Sequence, residues 1–166
     1  MNDFDTLVDK HSIEIYGYLW RLSRDEADAQ DCLQETFLRA YQAYGRLANK
    51  SNLRAWLYRI ATNTAFTQLK RRRRELTRTA SLSPELAGGD GLPGDVLAER
   101  ETQAEVAAAV ERLPQQQRAA LILRKYQELG YAEIAQSLGC TEAAARANVY
   151  QAVKKLRGWL NVTGED

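Results

Sequence analysis

"YAEIAQSLGCTEAAARANVYQAV", Tyr131–Val153, reads as two helices joined by a tight turn. Ala135 is small where two helices cross closely. Gly139, four residues on, is the residue type that takes a positive φ without steric cost. Ile134, Leu138 and Cys140 fall on the side of a core, and Thr141 is placed to cap the second helix. On that helix Ala145, Val149, Ala152 and Leu156 recur at helical spacing as a buried face. The opposite face carries Ala143, Arg146, Ala147, Tyr150, Gln151, Lys154 and Arg157. It is thin near its start and polar-basic beyond, which suits insertion into a DNA major groove. An ordinary helical hairpin with a solvated outer face carries the same pattern, so the motif alone leaves both readings open.

Helical periodicity extends outward from this stretch. Pro114 suits the first turn of a helix ending near Tyr126, and residues 96–112 form another. Upstream, "TASLSPELAGGDGLPGD", Thr79–Asp95, holds two prolines and four glycines with no periodic apolar pattern. It reads as a flexible linker. Toward the N-terminus, Phe4, Leu7, Val8, His11, Ile15, Leu19 and Leu22 define an amphipathic helix over 3–22. "SRDE", Ser23–Glu26, reads as a capping box opening a second helix, with Ala29, Leu33, Phe37, Ala40, Tyr41 and Tyr44 inward and Gly45 as its stop. Asn52 caps a third, whose stripe is Leu53, Leu57, Ile60, Ala61, Thr64 and Gln68. The expected fold is all-α: two small helical domains, 1–78 and 96–166, joined by the 79–95 linker, the C-terminal one containing a helix-turn-helix.

Charge is segregated although the formal net charge is only +1. Residues 1–44 hold nine acidic and four basic side chains, residues 45–78 one acidic and ten basic. Such asymmetry points to a localised polyanion site. On the third helix Trp56, Arg59, Asn63, Phe66 and Lys70 share one face at alternating spacings of 3 and 4, running into four consecutive arginines, Arg71–Arg74. Bases of single-stranded nucleic acid stack on rings while phosphates pair with cations, and this face offers both. The competing reading has Trp56 and Phe66 packing on a neighbouring helix, with the basic run as a solvated helix end. On the second helix Asp31, Gln34, Glu35, Leu38 and Gln42 lie opposite the core stripe. Leu38 among acids is either a lone exposed leucine or an anchor for a basic protein partner.

Other function classes find little support. Cys32 and Cys140 match no metal or redox spacing, and with the single His11 they argue for a reducing cytoplasm and against a metal site. No apolar run is long enough to span a membrane, and the acidic N-terminus is not a signal peptide. There is no nucleophile–base pairing, phosphate loop or paired-carboxylate constellation, so neither an enzyme nor a cofactor is expected.

Taken together, "DAQDCLQETFLRAY" (Asp28–Tyr41), "RAWLYRIATNTA" (Arg54–Ala65) and the stretch Glu111–Arg157 resemble bacterial RNA polymerase sigma factors of the extracytoplasmic-function group. The resemblance covers most of both domains in the family's order and spacing. It implies a specificity subunit that binds core RNA polymerase and promoter DNA, with an anti-sigma factor as a further partner. Asp31, Gln34, Glu35, Leu38 and Arg39 would meet the polymerase clamp. Asn49 in the "GRLANKSN" loop, Trp56, Arg59, Asn63, Phe66, Lys70, Arg71 and Arg74 would hold the melted minus-ten element. Arg146, Ala147, Tyr150, Gln151, Lys154 and Arg157 would read the minus-thirty-five element. Gly130 stands where many relatives carry a serine cap, and Asn148, Gln151 and Val153 where they often carry basic residues. The alternative is a stand-alone helix-turn-helix regulator, which leaves the Trp56–Arg74 face unexplained.

Overall fold

The computed structural model describes residues 3–79 and 96–160. Among them are seven helices: α1 (Asp3–Ser23), α2 (Glu26–Tyr44), α3 (Leu53–Thr79), α4 (Val96–Glu111), α5 (Gln115–Lys125), α6 (Tyr131–Leu138) and α7 (Glu142–Leu160). No strand occurs among the described residues. The linker expected over 79–95 lies outside them, apart from Thr79.

In the N-terminal unit α1, α2 and α3 pack on one another. The α1 stripe is buried as its spacing predicts, with Ile15, Leu19 and Leu22 almost fully enclosed. The α2 cap differs from the expected box: Asp25, not Ser23, is the N-cap, its carboxylate accepting from Asp28 N at 2.9 Å. The Ser23 hydroxyl instead bonds back to the Leu19 carbonyl at 3.0 Å. Gly45 ends α2 in a right-handed conformation, φ −67°, so its glycine freedom is not used there.

The α2 seam is also narrower than the large apolar residues suggest. Ala29, Cys32, Thr36 and Ala40 are its buried residues, while Leu33 and Phe37 flank them. Small side chains let the α2 backbone approach its neighbours closely, and this displaces Tyr41 from the core. Tyr41 is 63% exposed and touches the Phe4 ring only edge-on, at 5.4 Å. Burial on α3 is wider than one stripe: Ala55, Tyr58, Thr62 and Ala65 are buried beside Leu57, Ala61 and Thr64. The reason is that α3 has neighbours on more than one side, α1, α2 and also α6.

In the C-terminal unit α4, α5 and α6 all pack on α7. The turn between α6 and α7 is as its sequence requires. Gly139 has φ 69° and ψ 40°, and Thr141 Oγ1 accepts from Ala144 N at 3.0 Å. Gly130 gives α6 no side-chain cap, but the Glu133 carboxylate accepts the Gly130 N–H at 3.3 Å, so half of a capping box survives. Ala145, Val149 and Ala152 are buried and Leu156 is half-buried. The two units are also docked on each other, α3 against α6 and α1 against α5.

Candidate nucleic-acid and protein interfaces

The outer face of α7 presents Arg146, Ala147, Tyr150, Gln151, Lys154 and Arg157, all exposed. With Ala145, Val149 and Ala152 anchoring the inner face, the exposed side chains stand on a fixed helix edge. Arg146 is not free in solvent: its guanidinium lies 4.4 Å from the Tyr131 ring centroid and 3.8 Å from the Glu142 carboxylate. Arg124 sits 4.2 Å from the same ring. Tyr131 thus joins two cations beside the start of the helix-turn-helix, a cluster that sequence spacing did not reveal. Its only sequence signal is the i,i+4 pair Glu142–Arg146.

On α3, Arg59, Asn63, Lys70, Arg71 and Arg74 are exposed while Trp56 and Phe66 are half-buried. Packing therefore accounts for only part of each ring: each leans on the core and leaves part of itself uncovered. The Trp56 ring lies 6.3 Å from that of Tyr44, and Lys50 covers the Tyr44 ring at 4.3 Å. Asn49 is exposed, and its side-chain oxygen accepts from Ser51 N at 2.9 Å, fixing the loop that precedes α3. Asn52 then caps α3, accepting from Ala55 N at 3.1 Å. The basic run is not uniform. Arg72 is tied to Asp28 and lies 3.8 Å from Asp25, pinning α3 to the start of α2. Asp28 is in turn near the Gln68 amide, whose oxygen accepts from the Cys32 thiol. Burial, with nearby Asp28, Asp31 and Glu35, pushes the Cys32 thiol up to about 12, so it stays protonated and packs as a small hydrophobe.

On α2, Asp31, Gln34, Leu38 and Arg39 are exposed and Glu35 is half-exposed. Glu35 and Arg39 pair at 2.7 Å, so part of the acidic charge is internally neutralised. Leu38, 52% exposed, stands one turn from exposed Tyr41, forming an apolar spot beside the carboxylates. Tyr41 is the residue of this face that periodicity placed in the core.

The described residues hold no group of three or more potential metal ligands and no helix long and apolar enough to cross a membrane. Their chemistry is that of surfaces: two cationic faces, one with half-buried rings and one with an exposed tyrosine, and one acidic face with an apolar spot.

Comparison with known proteins agrees with this division. Residues 7–75 match the family described as Sigma-70 region 2, and residues 103–156 match Sigma-70, region 4. The RNA polymerase sigma-H factor of Pseudomonas aeruginosa is 34% identical over 157 residues, covering 90% of this chain and 81% of that protein. The ECF RNA polymerase sigma factor SigG of Mycobacterium tuberculosis is 32% identical over 177 residues. That alignment takes in 93% of this chain, which spans only 48% of SigG. Among solved structures, the fold is similar to the sigma factor RpoE of Bartonella quintana, determined in complex with the anti-sigma factor NepR. The TM-score is 0.74 at 25% identity, covering 98% of this chain and 99% of that one. Two matched regions in this order, on the two helical units, place the chain in one family: it belongs to the extracytoplasmic-function group of RNA polymerase sigma factors.

Proposed function

We propose that this chain is a promoter-specificity subunit: it binds core RNA polymerase and directs transcription initiation, without catalysis of its own. The N-terminal unit, 1–78, acts at the clamp and the minus-ten element, and the C-terminal unit, 96–166, at the minus-thirty-five element. The observation that carries the reading is the coincidence of each family match with a surface suited to its task. Region 2 coincides with the ring-and-cation face of α3 and the acidic face of α2, and region 4 with the exposed α7 edge.

At the minus-ten element, the uncovered parts of Trp56 and Phe66 stack an unpaired base, with Asn63 and Asn49 offering hydrogen bonds. Arg59, Lys70, Arg71 and Arg74 meet phosphates. Extruding a base costs a few kcal/mol, which stacking at about 1–3 kcal/mol per base can offset. At the clamp, Asp31, Gln34 and Glu35 oppose basic groups while Leu38 fills a pocket, and Arg39 keeps Glu35 in register. At the minus-thirty-five element, Arg146 reads a base edge, Ala147 lets the helix sit deep, Tyr150 and Gln151 tune the adjacent base, and Lys154 and Arg157 hold phosphates. A stand-alone regulator would use α7 alone and leave the α3 face without a task. Because one matched relative was solved with an anti-sigma factor, such a partner is also proposed here, with the cytoplasm as the site of action. The test is transcription by core polymerase from a promoter library randomised at both elements. Enrichment of paired sequences only when this chain is added supports the proposal; no transcript above core enzyme alone refutes it.

A further inference from the structure

We infer that the cavity where α1, α4 and α5 meet is a binding site for a small amphipathic organic anion. Arg21 and Arg24 hold its acid group, and Val106, Val110 and Ile122 take its apolar body. The inference stands on this cavity alone and does not depend on the function proposed above.

The cavity has a volume of about 580 Å³, within the range of roughly 300–1,000 Å³ typical of small-ligand sites. Trp20, Arg21 and Arg24 line it from the end of α1, Val106 and Val110 from α4. Ile122 of α5 and its C-cap Tyr126 complete the wall. Val110 and Ile122 are buried in the apolar core, with Val106 packed against it, so the floor is fixed and apolar. The rim is aromatic and cationic. The Arg24 guanidinium lies 4.0 Å from the Trp20 ring centroid, and that of Arg21 lies 4.6 Å from the Tyr126 ring centroid.

The cavity has a charge to fill. A guanidinium over a ring is held in place, while its N–H groups point along its own plane and stay available to an acceptor. Arg21 uses one of them, Nη1, at 3.4 Å from the Gln127 side-chain oxygen. The ion pairs among the described residues include neither Arg21 nor Arg24, and no acidic residue is among those lining the cavity. Elsewhere in this chain of 22 acidic and 23 basic residues, Arg39, Arg72 and Arg146 each pair with a carboxylate. A second arginine-on-ring pair makes the contrast. Arg112 lies 4.1 Å from the Trp159 ring centroid, in a cavity of about 370 Å³ between α4 and α7, but there Glu105 is part of the wall. Two guanidinium forks beside an apolar floor, with no acid of the chain's own, match one planar acid group carried on an apolar body.

The backbone supplies an independent observation. Arg24 has φ 56°, and its N–H donates to the Trp20 carbonyl at 2.6 Å. A left-handed residue other than glycine is adopted at some cost, and such strain concentrates at ligand clamps. Here it ends α1 with the Arg24 side chain over the Trp20 ring, at the rim of the cavity.

The test titrates the full chain with cinnamate, an aromatic carboxylate, and with cinnamamide, its uncharged counterpart. Binding is followed by nitrogen–proton correlation NMR at the indole N–H groups of the three tryptophans. Cinnamate should shift the Trp20 resonance saturably, at millimolar affinity or tighter for a ligand of this size. Trp56 and Trp159 should stay in place. Cinnamamide should bind at least about tenfold more weakly, and Arg21→Gln or Arg24→Gln should weaken cinnamate by a similar factor, because each removes a charged hydrogen-bonded pair. Arg112→Gln, the arginine-on-ring pair outside the cavity, should bind cinnamate as wild type does. Circular dichroism checks folding; if Arg21→Gln loses helicity, Arg24→Gln decides. No saturable shift at Trp20, equal affinity for cinnamate and cinnamamide, or unchanged cinnamate affinity in Arg24→Gln would overturn the site. Shifts centred on Trp56 or Trp159 would overturn it as well.

Discussion

Arg146→Ala separates reading from folding. In the free protein the Arg146 guanidinium is partnered by Glu142 at 3.8 Å and by the Tyr131 ring at 4.4 Å. The ion pair is well exposed on both sides, so it contributes close to nothing. The ring contact is worth about 0.5–1 kcal/mol at an exposed site. The substitution should therefore lower unfolding stability by no more than about 1 kcal/mol. On DNA, a bidentate arginine–guanine pair discriminates by about 1–3 kcal/mol. If Arg146 must leave the ring to make it, about 0–2.5 kcal/mol remains, a preference of up to roughly 70-fold at one base pair. The assay is transcription from a library randomised across the minus-thirty-five element, with urea unfolding run in parallel. Arg146→Ala should flatten enrichment at one position and leave the others intact. Lys154→Ala should instead weaken all sequences alike and lower the magnitude of the salt slope by about one unit. Identical selections by wild type and Arg146→Ala, at equal enrichment, would refute the reasoning.

Four further outcomes are expected. Trp56→Ala, with core binding intact, should leave the promoter closed to permanganate, costing about 1–3 kcal/mol of melting for one lost stack; a wild-type bubble would make the ring purely structural. Reversing charge at Asp31 and Glu35 should weaken core binding in a titration while leaving duplex minus-thirty-five affinity unchanged; unaltered core affinity would remove α2 from the interface. Thr36→Val should raise stability by about 1 kcal/mol, because the buried Thr36 hydroxyl has no hydrogen-bond partner among the described residues and valine keeps its shape; a lower thermal midpoint would contradict this. Burial pushes the Glu14 carboxyl up, but hydrogen bonds from Arg54, His11 and Tyr58 outweigh it and hold the group below its ordinary 4.5, so its stabilisation is complete above that pH and lost as pH falls below it. Urea midpoints should decline less in Glu14→Gln than in wild type over that acid range; equal declines would exclude the effect.

Much of this protein is legible in its sequence. Helical periodicity located the helices, and local backbone chemistry set their ends at Asn52, Gly139 and Thr141, since caps and turns depend only on near neighbours in the chain. The exposed edge of α7 from Arg146 to Arg157 follows from spacing alone, because the opposite face is apolar and has one place to go. The acidic face of α2 from Asp31 to Arg39 follows for the same reason. Where pattern failed, close packing overruled it: small residues Ala29, Cys32, Thr36 and Ala40 became the α2 seam and expelled Tyr41, and the seam lies where backbones can approach most closely. Tertiary structure alone decided that Tyr131 would hold Arg146, that Trp56 would be only half-covered, and that Gln127 would meet Glu14 and Tyr58. Those contacts join residues up to 113 positions apart. A polar side chain such as Gln127 carries no periodic signature of burial, because it is buried only when a distant segment supplies its hydrogen bonds.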